Sequence, residues 1–141
     1  MKKIENIMKS MTFEFFGSGK HKIKANDHFS KDNALFLDVR STEEHDTLSF
    51  KLIHHMPVLH IPITEIPDKL KKIPKDKHIG IFCSGGVRST IVYLYLRAHD
   101  YENVRILEGG YNAIVEEFKP EKLLRKIKNK GSSPLLGRNI S

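Results

Sequence analysis

The stretch that most constrains this chain runs His78-Ile79-Gly80-Ile81-Phe82-Cys83-Ser84-Gly85-Gly86-Val87-Arg88-Ser89-Thr90. Ile79 to Phe82 is an apolar run of strand length, short enough to be a fully buried strand. Two adjacent glycines follow, where backbone turns and approaches a ligand without Cβ clashes. From Ser89 the apolar positions 91, 92, 94, 95 and 98 fall on helical spacing, with Ser89 itself placed to cap the helix start. A strand, a glycine cradle and a helix N-terminus thus surround Cys83, the one cysteine of the 141 residues.

A lone cysteine after an apolar run is ordinarily an inert core residue. The glycine pair, Arg88 five positions on and the helix that follows point instead to a reactive thiol. The thiolate is the nucleophilic form, and a helix N-terminus with converging N–H groups and a nearby cation favours it. The same donors, from Ser84, Gly85, Gly86, Val87, Arg88 and Ser89, suit any anion that the cysteine attacks or carries.

Cys83-Ser84-Gly85-Gly86-Val87-Arg88-Ser89 resembles the active-site loop of the rhodanese family of sulfurtransferases. Three further stretches resemble that family in order: Leu37-Asp38-Val39-Arg40 with Glu43-Glu44, Leu59-His60-Ile61-Pro62, and Leu107-Glu108-Gly109-Gly110-Tyr111-Asn112-Ala113. The resemblance covers about residues 33–118 and implies a single rhodanese-like domain in which Cys83 carries a persulfide. It implies a small-molecule sulfur donor (thiosulfate, a persulfide or a polysulfide) and an external thiol acceptor, with a protein thiol among the candidates. No cofactor and no metal are implied. With no second cysteine, the persulfide has no resolving partner within the chain.

The rival chemistries differ in the loop. Phosphatases of similar fold place five residues between Cys and Arg, making room for a tetrahedral oxyanion; here there are four, Ser84 to Val87. A non-catalytic or sulfur-carrier module acting by partner binding is the alternative from outside enzymology. Many relatives carry Arg directly after the cysteine, where this chain has Ser84, and losing that charge weakens the attraction for the thiosulfate dianion.

Asp38 and Arg40 close a buried strand, Ala34 to Val39, as acid–base or anion-binding groups or as an ion pair anchoring loops at the strand end. The chemistry of a persulfide needs no carboxylate, which favours the ion pair. Ser41 or Thr42 with Glu43-Glu44 marks a helix start. His54, His55 and His60 invite a metal reading, but no second ligand cluster accompanies them. Gly17-Ser18-Gly19-Lys20 lacks the spacing of a phosphate loop, with Glu14 where Gly belongs and His21 where Ser or Thr belongs.

Short strands alternating with helices predict an α/β fold, with a mainly parallel central sheet flanked by helices and the active-site loop between a strand C-terminus and a helix N-terminus. The expected organisation is an N-terminal extension over 1–32, the rhodanese-like domain over 33–119, a C-terminal helix over 120–130 and a basic tail over 131–141. Within the extension, Met11 to Phe16 reads as an edge strand or as a segment packed over the core. Val58 to Ile61 and Asn103 to Leu107 read as further strands. Thr64 to Lys72 reads as an amphipathic helix, and Gly109-Gly110 opens another through Phe118.

The net charge of +7 sits at the ends: +4 over residues 1–31, +6 over 122–141 and −3 between. Solvated terminal charge accounts for this without a nucleic-acid or membrane partner, and neither is expected. The opening residues are too interrupted by charge for a signal-peptide apolar region, no apolar run is long enough to span a bilayer, and a lone cysteine suits a reducing compartment. The expected location is cytoplasmic.

Overall fold

In the computed structural model, residues 2–47, 56–117, 119–121 and 124 are described. Among the described residues, five strands form one sheet: β1 (Lys22–Lys24), β2 (Ala34–Asp38), β3 (Val58–His60), β4 (His78–Phe82) and β5 (Val104–Glu108). Their order is β1-β5-β4-β2-β3 and every pairing is parallel, with Leu37 opposite Ile81 and Ile81 opposite Ile106. The helices are α1 (Lys2–Ser10), α2 (Phe13–Gly17), α3 (Ala25–Phe29), α4 (Thr42–Thr47), α5 (Val87–Ala98) and α6 (Gly110–Glu117). A parallel sheet covered on both faces needs strands that are apolar throughout, and all five residues of β2 are buried.

The alternation of side chains divides the core in two. Leu35, Leu37, Ile79, Ile81 and Cys83 face α5, where Val92, Tyr93 and Leu96 meet them. Ala34, Phe36 and Phe82 point the other way, into a cluster with Ala25 and Phe29 of α3 and Ile114 of α6. Ile114 is 1% exposed there. Gly80 belongs to this second face for a steric reason: a Cβ at that position would lie 2.6 Å from Nε2 of His28. The buried His28 ring donates from Nε2 to the Leu35 carbonyl at 3.0 Å, and burial holds it toward the neutral form.

The connections set the site. From β2 the chain moves outward to β3, whereas from β4 it moves the opposite way to β5. The carboxyl ends of β2 and β4 therefore flank a topological switch point, where ligands bind in open α/β sheets.

Three local expectations are corrected. Met11 to Phe16 is not an edge strand. The Thr12 hydroxyl accepts from the Phe15 N–H at 3.1 Å and caps α2, while Met11 and Phe15 pack on the α5-side core. The sheet edge is taken instead by Lys22–Lys24. Thr64 to Lys72 is not one helix but two 3₁₀ turns, Ile63–Glu65 and Leu70–Lys72. Pro67 stands between them and has no N–H to donate to a continuing helix. Ser89 is not the cap of α5; the helix starts at Val87, with Gly86 as N-cap at φ +89°. His54, His55, the tail over 131–141 and most of the 120–130 segment lie outside the described residues, although Pro120, Glu121 and Leu124 are helical.

Replacing Gly80 by Ala drives a methyl group into the His28 ring. The expected result is a loss of about 1–3 kcal/mol of unfolding free energy, as for other overpacked cores, measured by urea denaturation. An unchanged midpoint would mean that His28 moves aside at no cost.

Candidate active site

Cys83 leaves the end of β4 as part of the α5-facing core and is 3% exposed. Its Sγ accepts from the Gly86 N–H at 3.0 Å and from the Ser89 N–H at 3.3 Å. The left-handed Gly86 turns the backbone so that the first turn of α5 aims at the sulfur, a conformation that a side chain would strain. Burial alone raises the Cys83 pKa. The Ser89 hydroxyl and the N–H groups of Ser89, Gly86 and Gly85 outweigh it and bring the thiol below its ordinary value. Ser89 thus takes part by its hydroxyl as well as its amide, from a buried position in the first turn.

The opening of α6 closes the far side. A Cβ on Gly110, at φ +55°, would lie 3.0 Å from the Ser84 carbonyl oxygen, so bare backbone is needed for the two segments to approach. Gly110 is followed by Tyr111, whose hydroxyl accepts from Arg40 Nη1 at 2.8 Å.

Arg40 and Asp38 form a buried pair. Arg40 donates to Asp38 from Nε at 2.9 Å and from Nη2 at 2.7 Å, and its amide adds a third bond at 3.0 Å. The guanidinium lies 5.0 Å from the Phe82 ring centre and 5.3 Å from that of Tyr111. Burial works against its charge, but the Asp38 carboxylate and the Tyr111 hydroxyl leave its pKa raised. The geometry is that of an ion pair joining the ends of β2 and β4 to α6.

Arg88 does not point alone at the sulfur. Its Nη1 donates to Glu44 Oε1 at 2.5 Å and its Nη2 to Oε2 at 3.0 Å, a forked pair across two segments 44 residues apart. Ser84 lies between them, accepting from Arg88 Nη2 at 2.9 Å and donating to Glu44 Oε2 at 3.3 Å. Glu44 also completes a capping box with Ser41 at the start of α4: the Ser41 N–H and hydroxyl donate to Oε1, and the Glu44 N–H donates to the Ser41 hydroxyl. Arg88 first, then Ser41, hold the Glu44 carboxyl down to about 2. The sequence marks Glu44 as a helix-start residue; nothing in it marks the carboxylate as the partner of Arg88.

Of the histidines considered as ligands, His60 stacks on His45 with ring centres 4.0 Å apart and donates from Nε2 to the Arg40 carbonyl. Among the described residues, no group of three or more His, Cys, Asp or Glu side chains is arranged to hold a metal ion. Nor is any described helix long and apolar enough to cross a membrane. A concavity of about 860 Å³ lies elsewhere, lined by Lys22, Lys24, His28 and Lys31 among others, and shares no residue with the cysteine loop.

The five-stranded parallel sheet thus places Cys83, held by two main-chain amides, at the β2/β4 switch point. The rhodanese-like domain model matches residues 22–117, and the chain belongs to that family. A persulfide reductase from A. fulgidus, described as NAD-dependent, superposes with a TM-score of 0.54 at 35% identity, over 70% of this chain and 17% of that one. A rhodanese-related protein from Thermoplasma volcanium gives 0.56 at 29% identity, over 71% of this chain and 95% of that one. A tRNA sulfurtransferase from Mannheimia succiniciproducens is 35% identical over 78 residues, 55% of this chain but 16% of that protein. The chain thus matches a small part of this longer relative.

Two outcomes follow from the geometry. The rate of iodoacetamide alkylation of Cys83 should rise with pH about a midpoint below that of an ordinary thiol, and Ser89→Ala should move that midpoint upward. Equal midpoints in the two proteins would remove the Ser89 hydroxyl from the account. Asp38→Asn strands a buried guanidinium and should cost about 3–5 kcal/mol of stability, measured by chemical denaturation.

Proposed function

We propose that this protein is a sulfurtransferase that moves sulfane sulfur from a donor to a thiophilic acceptor through a persulfide on Cys83. The observation that carries the reading is the convergence of the Gly86 and Ser89 N–H groups on Sγ, in a loop of family type. Those donors favour the thiolate before attack and the anionic persulfide after it.

In the first half-reaction the Cys83 thiolate attacks the outer sulfur of the donor. With thiosulfate, the new S–S bond forms as the donor's S–S bond breaks, and the electron pair leaves on sulfite. With a hydropersulfide RSSH, the pair leaves on the thiolate RS⁻ and the proton stays on the transferred sulfur. In the second half-reaction an acceptor nucleophile attacks the outer sulfur of the Cys83 persulfide and the thiolate returns. Cyanide serves as an assay acceptor and yields thiocyanate; a thiol yields a new persulfide. Cys83 is the chain's only cysteine, so the second step requires an external acceptor.

Sulfur transfer named for the tRNA sulfurtransferase relative and persulfide chemistry named for the A. fulgidus neighbour support the reaction class. Asp38 and Arg40 support the loop by position and touch neither donor nor acceptor in this scheme. The four-residue spacing between Cys83 and Arg88 speaks against phosphatase chemistry. Transfer takes place without nucleic-acid or membrane binding, in a reducing, cytoplasmic setting.

Intact-protein mass spectrometry after incubation with a persulfide or thiosulfate should show the mass of one added sulfur. The increment should disappear on adding cyanide and be absent in Cys83→Ser. No increment from either donor would sink the transfer reading and leave partner binding in its place.

A further inference from the structure

The cation of the cysteine loop is already matched. Arg88 gives both terminal nitrogens to the Glu44 carboxylate, and Ser84 bridges the same two side chains. Glu44 is not deep beneath the site: about a third of its side chain is exposed, as is a similar share of Arg88. An incoming donor therefore meets a carboxylate and a guanidinium together. Being adjacent and of opposite sign, the two groups offset one another's pull on an anion that approaches both.

Resting on the sulfur-transfer reading, we infer that Glu44 is a specificity-determining residue: by holding Arg88 in a forked ion pair beside Ser84, it disfavours dianionic donors such as thiosulfate relative to persulfides of lower charge. Three consequences of the geometry support this. The position after the cysteine holds a hydroxyl rather than a second cation, so Arg88 is the positive side chain of the loop. The carboxylate is fixed in place by Ser41 as well as by Arg88, and at neutral pH it is fully ionised. The pair is contributed by α4 and by the first turn of α5, which follow the two strands of the switch point, so it stands where a ligand enters.

Glu44→Gln tests the inference. Glutamine keeps the capping-box oxygen toward Ser41 and removes the charge; its amide NH2 takes the place of Oε2, so Arg88 Nη2 and Ser84 lose that acceptor and the fork on Arg88 loosens as well. The readout is kcat/KM for sulfur loading from thiosulfate divided by that from cysteine persulfide. In Glu44→Gln this ratio should rise about three- to tenfold, through a lower KM for thiosulfate, and that KM should become more sensitive to added salt.

A clamp that merely shapes the loop would slow both donors together and leave the ratio unchanged, which would overturn the inference. The unmodified protein gives a second measurement that does not depend on the variant folding. Its KM for thiosulfate should vary little with ionic strength; a steep rise with salt would reveal a net positive mouth and overturn the inference too. If the unmodified protein loads from neither donor, the transfer reading itself fails, and the role of Glu44 fails with it.

Discussion

The Asp38–Arg40 pair is the interaction on which the site depends. A charge taken out of water costs several kcal/mol unless its partner and its remaining hydrogen bonds are well placed. Here the guanidinium is wholly buried and meets two carboxylate oxygens, a tyrosine hydroxyl and two aromatic rings. These partners belong to the end of β2, the end of β4 and the start of α6, the segments around the cysteine. Phe82, one of the rings, immediately precedes Cys83, and Tyr111 immediately follows the glycine that lies against the Ser84 carbonyl. Movement of any of these segments would leave buried charge poorly paired, so the pair holds the cradle's surroundings in register.

Against that fixed background the loop does its electrostatic work with backbone. The cysteine sulfur is desolvated, which disfavours the thiolate, and is compensated by N–H groups of a glycine turn and a helix start together with one hydroxyl. Amides suit this task because they are rigidly placed by the fold and carry no counter-ion. The side-chain cation takes a different part. Arg88 is engaged by Glu44, and the pair ties α4 to the loop. One carboxylate therefore serves local and long-range structure together, capping its own helix and fixing a residue brought near it only by folding.

How much of this is legible in the chain varies by residue. The apolar runs at 34–37 and 79–82 declare buried strands, because a sheet covered on both faces leaves no strand position for polar side chains. Cys83, the glycine pair and Arg88 are local in sequence and are read together as a cradle. The run Met11 to Phe16 misleads, since its aromatic residues fit a strand by composition. A threonine cap and packing of Met11 and Phe15 on the core decide for helix instead. Pro67 is visible in the sequence, but apolar periodicity across it still imitates a helix. Ser89 sits in the recognised loop, yet its hydroxyl's approach to the sulfur depends on where Gly86 starts the helix.

By itself, then, the sequence determined the α/β class, the strand that delivers the cysteine, the cradle and the family resemblance. These rest on periodicity and on contacts between near neighbours in the chain. Only the tertiary structure decided that Lys22–Lys24 completes the sheet edge, that Tyr111 joins Asp38 and Arg40, and that Glu44 takes Arg88 as its partner. Each of those joins residues far apart in sequence, and a pattern along the chain does not encode the distance between two segments until the parallel sheet has brought them together.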